Sequence, residues 1–196
     1  MNALIIIDIQ LDFLPGGALA VTGGDRIISI INDLQPTYDL VVATQDWHPI
    51  NHQSFFTEHP GRQAFEHIRL HGLEQVLWPV HCVQGTNGAA LAPALSTDAI
   101  EAIFRKGMDR EIDSYSGFFD NGKKKSTGMA DYLKGRGVTE LAVCGLAADY
   151  CVYYTANDAL DLGFKARIIE HASCAIDPER FRQLKTEFQQ KGGEIL

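Results

Sequence analysis

The sequence has no long apolar run and little positive charge. No stretch approaches the roughly 18 consecutive apolar residues of a membrane-spanning helix, and the first residues lack the basic start and the cleavage site of a signal peptide. We therefore expect no membrane partner and a cytoplasmic location. The 17 Lys and Arg residues against 25 Asp and Glu residues give a formal net charge of −8. This balance argues against a nucleic-acid partner, because binding phosphates requires a basic surface.

Cysteines are few, and glycine-rich motifs are missing. The four cysteines show no C-x-x-C spacing, which argues against zinc-finger and thioredoxin-type sites. The glycines show neither the G-x-G-x-x-G nor the P-loop spacing, so no phosphate-binding loop is predicted. In a cytoplasmic protein the thiols should stay reduced, and each cysteine is then either a small buried residue or a reactive thiol.

What the sequence does contain is an alternation of strand and helix patterns. Its 196 residues, 45% of them apolar, are enough for one globular core. Apolar runs predict buried strands at residues 3–9, 40–44, 99–104, 140–144 and 166–169, with a short edge strand at 194–196. Helical patterns cover residues 25–35, 126–134, 149–162 and 178–190. This order predicts an α/β fold in which a doubly wound, mostly parallel sheet is flanked by helices.

Residues 46–98 break the alternation. They carry six of the seven histidines, both tryptophans and four of the seven prolines. A connection this long within one domain is usually functional or disordered, and its aromatic content argues against disorder. We expect a single domain over residues 1–196 with a functional insertion at about 46–98.

Three ionisable residues, Asp8, Asp46 and Lys106, lie where predicted strands end. Ligands bind outside the carboxyl ends of the strands in such folds. Each residue alone is also explained as an ordinary charge that ends a strand. If the strands carrying Asp8 and Lys106 are neighbours, the ammonium can hold Asp8 ionised, and Asp8 can accept a thiol proton and pass it to a leaving group.

Cys151 lies at a predicted junction between a strand and a helix. The positive end of the helix dipole is expected to lower the pKa of a thiol in the first turn. A buried cysteine on the helix face that meets the sheet fits the same position equally well. A second candidate site is formed by Asp46 and His48, whose side chains point the same way in an extended segment. With His81 they would make an oxygen and nitrogen ligand set suited to zinc, iron or manganese, although a lone loop histidine is more often structural.

Six segments occur in the same order in a known family. They are residues 8–13 (DIQLDF), 45–49 (QDWHP), 78–83 (WPVHCV), 105–107 (RKG), 115–118 (YSGF) and 145–152 (GLAADYCV). The chain thereby resembles the nicotinamidases of the isochorismatase-like cysteine hydrolase superfamily. The resemblance implies hydrolysis of nicotinamide to nicotinate and ammonia through a cysteine thioester, as in NAD salvage, with pyrazinamide as a further substrate.

The resemblance also implies roles for individual residues. The triad is Asp8, Lys106 and Cys151, and a cis peptide bond between Leu146 and Ala147 turns the backbone amides of Ala147 and Cys151 toward an oxyanion. One divalent metal ion, zinc first with iron or manganese as alternatives, is held by Asp46, His48 and His81 and orients the pyridine nitrogen. In some relatives a further residue after His48 contacts the metal; the candidates here are Ser54, His52 and His59, and Ser54, acting through water, is favoured. Four further residues are implied to contact the substrate ring: Phe13, Trp78, Tyr115 and Leu146.

Other functions compete with this interpretation. An N-carbamoyl or ureido amidohydrolase of the same superfamily would use the same triad but needs no metal to orient its substrate. An isochorismatase proper lacks the nucleophilic cysteine. A non-catalytic metal- or ligand-binding module is the alternative from another class, and a homo-oligomer is compatible with the sequence.

Overall fold

The computed structural model describes residues 1–196 and contains eight strands and four α-helices. The strands are β1 (Asn2–Ile7), β2 (Leu40–Asp46), β3 (His67–Leu70), β4 (Leu73–Val76), β5 (Ile100–Lys106), β6 (Glu140–Leu146), β7 (Lys165–Cys174) and β8 (Glu194–Ile195). The helices are α1 (Ile27–Leu34), α2 (Met129–Gly135), α3 (Tyr153–Asp161) and α4 (Pro178–Gln190). None of the helices combines the length and apolar character needed to cross a membrane.

Six of the strands form one parallel sheet in the order β5-β2-β1-β6-β7-β8. Strand β1 lies in the middle of the sheet with both faces buried, which explains why its sequence is continuously apolar. Leu4 and Ile6 belong to one core cluster and Ile5 and Ile7 to the other, because successive side chains point to opposite faces. Helix α1 covers the first face, and α2, α3 and α4 cover the second. The predicted fold class is confirmed.

Residues 46–98 form no further strand of this sheet. They contain the antiparallel hairpin β3–β4 and two short 3-10 turns, Phe56–Glu58 and Asn87–Ala89. Isolated bridges join His48 to Val83 and Phe55 to Trp78, which brings residues 48–55 beside residues 78–83 next to the carboxyl end of β2. The description of this segment as an insertion in a single domain stays a prediction.

Candidate active site

Three ionisable side chains meet at the carboxyl edge of the sheet. Asp46 and Lys106 are the last residues of β2 and β5 and lie opposite each other in the strand pairing, while Asp8 follows β1. Strand β2 lies between β1 and β5, so the strands that carry Asp8 and Lys106 are not neighbours. The lysine side chain spans the end of β2 instead. Its Nζ lies 2.9 Å from Asp8 Oδ2 and 2.6 Å from Asp46 Oδ1.

Cys151 reaches the same cluster from the other side of β1. It lies in a π-helical turn, Ala148–Val152, between β6 and α3. Its Sγ is 3.3 Å from Lys106 Nζ and within 4.8 Å of a carboxylate oxygen of Asp8. The structure therefore brings together the three residues that the resemblance implied as a triad.

The Cys151 thiol is a weaker acid than the sequence suggested. Burial raises the pKa of Cys151 well above its usual value; Lys106 lowers it, and the carboxylates of Asp8 and Asp46 raise it further. The expectation of a lowered thiol pKa is wrong, because desolvation and two carboxylates outweigh one ammonium. The thiol is protonated at neutral pH and needs a base.

Asp8 is suited to be that base. It is fully buried, and Thr44 Oγ1 donates a 2.7 Å hydrogen bond to its Oδ1. Burial raises the pKa of Asp8 above its ordinary value even though Lys106 opposes this shift. A carboxylate with a raised pKa is a stronger proton acceptor than an exposed one.

Lys106 is the single cation between these groups. Burial alone would lower its pKa, but Asp46 and Asp8 outweigh burial and hold the pKa of Lys106 well above its usual range. Its Nζ also donates a 3.1 Å hydrogen bond to the carbonyl of Ser114. The side chain is therefore an ammonium whose contacts all lie inside the protein.

We expect Lys106→Met to destabilise the protein by about 3–5 kcal/mol, because it leaves two buried carboxylates without their counter-charge. Urea unfolding of the purified variant measures this change. The exposed Lys124 provides a control, and Lys124→Met should stay within about 0.5 kcal/mol of the wild type. Equal free energies of unfolding for the two variants would contradict the proposed importance of the buried ion cluster.

A second cluster shares Asp46. Its Oδ2 lies 3.3 Å from His48 Nε2 and 3.7 Å from His81 Nε2. The Nδ1 atoms of the two histidines lie 2.9 Å and 2.7 Å from the backbone carbonyls of Gly107 and Pro79. Because a carbonyl only accepts, each Nδ1 carries the proton and each Nε2 has a free lone pair. His48 Nε2 is buried without a hydrogen-bond partner, so the set fits a divalent metal ion.

Gly107 makes room for one of these ligands. Its φ is 66°, and a Cβ atom at this position would lie only 2.4 Å from His48 Cε1. A glycine directly after Lys106 is therefore what allows the His48 ring to approach the end of β5.

One carboxylate thus joins the two clusters. Asp46 Oδ1 faces Lys106 and Oδ2 faces the histidines. Burial opposes its ionisation, but the Lys106 ammonium favours it, and the pKa of Asp46 lies well below its usual value. Asp46 is a carboxylate at neutral pH and belongs to both sites.

Two residues outside the predicted ligand and triad sets hold this arrangement. The Gln10 amide accepts a hydrogen bond from Asp46 N and donates one to Asp46 O, both at 2.8 Å. Asp12 Oδ2 accepts from Cys82 N at 2.7 Å, and the Cys82 carbonyl accepts from His48 N at 3.0 Å. Both fix the backbone around the metal-ligand candidates. Their place in the 8–13 segment was the available signal, but their partners depend on the tertiary fold.

The turn before Cys151 has the backbone that the resemblance implied. The peptide bond between Leu146 and Ala147 is cis. The Ala147 carbonyl accepts hydrogen bonds from Tyr150 N at 3.1 Å and Val152 N at 3.2 Å. The use of the Ala147 and Cys151 amides as an oxyanion hole stays a prediction.

A pocket with mostly apolar walls opens at Cys151 and the metal-ligand candidates. Phe13, Trp78 and Tyr115 line it, together with Asp46, His81 and Ala147. Trp78 meets the Tyr150 ring edge to face at a centroid distance of 4.8 Å. Four further lining residues were not predicted, because their segments meet only in the folded chain: Leu19, Asp113, Tyr150 and Ile176.

Leu146 does not line this pocket, so its predicted contact with the substrate ring is wrong. The side chain is fully buried in the core cluster beneath α1, and its Cδ1 lies 3.1 Å from the position a Cβ would take at Gly24. The next residue, Ala147, faces the pocket instead.

Ser54 is buried near the metal-ligand candidates. Its hydroxyl lies 2.7 Å from His52 Nδ1, and the His52 ring lies 4.5 Å from the His48 ring between centroids. His52 therefore contacts Ser54 and also lies beside the ligand candidate His48. The water-mediated contact of Ser54 with a metal stays a prediction.

Comparison with known proteins connects this geometry to a family. An isochorismatase domain model matches residues 2–196. The nicotinamidase of Acinetobacter baylyi is 50% identical over 175 residues, which cover 89% of this chain and 82% of that protein. The structure of a nicotinamidase and pyrazinamidase from Acinetobacter baumannii superposes with a TM-score of 0.97 at 45% identity, covering 100% of this chain and 95% of that one.

A structure of a pyrazinamidase from Pyrococcus horikoshii in complex with zinc has a TM-score of 0.81 at 38% identity and covers 100% of this chain and 98% of that one. The match of nearly the whole chain to the domain model and the high identity over most of its length agree with each other. The chain therefore belongs to the isochorismatase family and, within it, to the nicotinamidases.

Proposed function

We propose that this protein hydrolyses nicotinamide to nicotinate and ammonia through a thioester on Cys151. The observation that carries this proposal is the contact of Cys151 Sγ and the Asp8 carboxylate with Lys106 Nζ, beside an aromatic pocket. Asp46 and His81 line the same pocket, which puts the metal-ligand candidates beside the nucleophile. A flat ring carrying a carboxamide suits this combination of apolar walls and localised polar groups.

In the first half of the reaction Asp8 accepts the thiol proton, and the sulfur of Cys151 forms a bond to the carboxamide carbon. The carbonyl oxygen becomes negatively charged and is stabilised by the backbone amides of Ala147 and Cys151. When the C–N bond breaks, the proton on Asp8 passes to the leaving nitrogen. Ammonia leaves, and a thioester remains.

In the second half a water molecule loses a proton to Asp8 and attacks the thioester carbon. The C–S bond breaks, the proton on Asp8 passes to the sulfur of Cys151, and nicotinic acid leaves and loses its carboxyl proton to solvent as nicotinate. Lys106 stays an ammonium throughout and balances the negative charge of Asp8 and Asp46.

Asp46, His48 and His81 would hold the metal, and we propose zinc because a set of one carboxylate and two imidazoles suits it. When bound, the metal supplies a Lewis-acid contact for the pyridine nitrogen. Phe13 and Trp78 confine the ring from the pocket walls. The substrate's carboxamide then points toward Cys151.

Ammonia release tests the reaction directly. We expect release from nicotinamide and also from pyrazinamide, which keeps a ring nitrogen and the carboxamide, and none from an N-carbamoyl amine. Release from the N-carbamoyl compound alone would instead support the ureido amidohydrolase. No release from any of the three would leave a binding module as the function. The cytoplasmic location and a homo-oligomeric state stay predictions.

Removing the metal with a chelator is expected to raise KM for nicotinamide about 10–100-fold, since a contact to a charged group is worth about 1.5–3 kcal/mol. Benzamide, which has no ring nitrogen, is the matched substrate, and its KM should not change. Steady-state kinetics with metal analysis of the same sample measures both. An equal change for both substrates would contradict a role of the metal in holding the ring nitrogen.

A further inference from the structure

His52 is a buried histidine that the proposed reaction does not use. It is 0% exposed, its Nδ1 contacts the Ser54 hydroxyl, and its ring lies beside that of His48. Its proximity to Asp46, His48 and His81 would suggest a fourth protein ligand for the metal. The hydrogen bonds of its ring point to a different role.

Ser54 fixes which nitrogen of His52 carries the proton. The backbone N–H of Ser54 donates to His52 Nδ1 at 3.1 Å. A backbone N–H is always a donor, so Nδ1 must be an unprotonated acceptor, and the Ser54 hydroxyl at 2.7 Å donates to the same atom. The proton of the neutral ring is therefore on Nε2. His48 and His81 have the opposite tautomer, in which Nε2 has a free lone pair.

The Nε2–H of His52 lacks a partner, and a carboxylate lies near the ring. Nε2 is buried and has no hydrogen-bond partner among the protein atoms. One ring nitrogen of His52, one ring nitrogen of His48 and a carboxylate oxygen of Asp113 all lie within 4.8 Å of one another. Asp113 is held as an acceptor, because Ser114 N donates to its Oδ1 at 2.7 Å and Gln75 Nε2 donates to its Oδ2 at 3.1 Å. A buried donor without a protein partner, close to a carboxylate, is where a bridging water molecule satisfies both groups.

We propose that His52 is a positioning residue and not a metal ligand: its Nε2–H, set by Ser54, and the Asp113 carboxylate together hold a water molecule beside the metal site. The inference rests on the metal site of the proposed function. Ser54 acts through the ring in this proposal, because its hydroxyl and its backbone N–H both donate to His52 Nδ1. Such a water would lie beside the ligand set of Asp46, His48 and His81 and would offer an oxygen atom to a bound metal.

Nitrogen-15 NMR of histidine-labelled wild-type protein tests the tautomer without any activity measurement. In metal-free and zinc-loaded protein, His52 should show a protonated Nε2 and an unprotonated Nδ1. Zinc should shift the Nε2 signals of His48 and His81 only. A protonated Nδ1, or a zinc-dependent coordination shift at His52 Nε2, would overturn the proposal. If wild-type protein binds no zinc, the metal site of the proposed function is overturned, and the role of His52 beside that site is overturned with it. The His52 tautomer can still be measured in that case.

Zinc affinity, measured by competition with a chromogenic chelator, tests the positioning role. We expect His52→Ala to weaken binding about 10–100-fold, as is typical for residues that support metal ligands, and His52→Gln, whose amide also donates, to recover most of this loss. The exposed His171 gives a control, and His171→Ala should bind zinc like the wild type. Unchanged affinity in His52→Ala, or no recovery in a folded His52→Gln, counts against the proposal.

Discussion

Cys151→Ala is expected to lower kcat for nicotinamide by about 10⁴-fold or more, because the variant can form no thioester. In the structure Cys151 is the one cysteine that contacts Lys106 and lines the pocket. The substitution removes only the sulfur atom and leaves the pocket walls in place. Ammonia release over long incubations measures the loss, and mass spectrometry of quenched wild-type reactions should detect a nicotinoyl adduct on the peptide containing Cys151.

Cys174 supplies the matched control for this experiment. It is a half-buried free cysteine whose Sγ lies 3.6 Å from the Gly23 carbonyl, and it does not line the pocket. Cys174→Ala should keep kcat within about twofold of the wild type, since it changes no group of the site. Turnover by Cys151→Ala at a rate similar to that of Cys174→Ala would remove the nucleophile from the mechanism.

Asp8→Asn is expected to lower kcat/KM by about 10²–10⁴-fold, the usual contribution of a positioned acid or base. The amide has the shape of the carboxylate, and its oxygen can keep the hydrogen bond from Thr44 Oγ1, but it accepts no proton. Because the thiol pKa is raised, loss of this base should also slow alkylation of Cys151 by iodoacetamide. The two rates are measured on the same preparation.

The exposed Asp33 is a suitable control for the charge change. Asp33→Asn should keep both the turnover rate and the alkylation rate of the wild type. If Asp8→Asn alkylates as fast as Asp33→Asn but turns over slowly, Asp8 serves the leaving group and not the thiol. Normal turnover in Asp8→Asn would eliminate it as the proton carrier.

The sheet could be predicted from the sequence because buried parallel strands are apolar on both faces. The same signal fails where a buried residue is polar. Strands β2 and β5 each extend two residues beyond their predicted ends, to Asp46 and Lys106, whose opposite charges pair across the ladder. The hairpin β3–β4 was missed because its four-residue strands are half exposed and carry little apolar pattern.

The residues of the site could be predicted from motifs, but the contacts between those residues could not. The sequence separates Asp46 from Lys106 into a metal site and a triad, and their 2.6 Å contact follows from β2 lying between β1 and β5. The alternation of strands and helices along the sequence does not predict that strand order. The motifs also do not predict which residues face the pocket. Leu146 and Ala147 are neighbours in the chain, but only Ala147 lines the pocket.

The ion cluster around Lys106 also determines how the thiol can be ionised. Asp8 and Asp46 contribute two negative charges and Lys106 one positive charge, all of them buried. Releasing the thiol proton to solvent would add a third negative charge to this enclosed volume, which desolvation strongly disfavours. Passing the proton to Asp8 leaves the total charge unchanged. Nucleophile formation in this protein is therefore an internal redistribution of charge, and the enclosed site gains reactivity without becoming more highly charged.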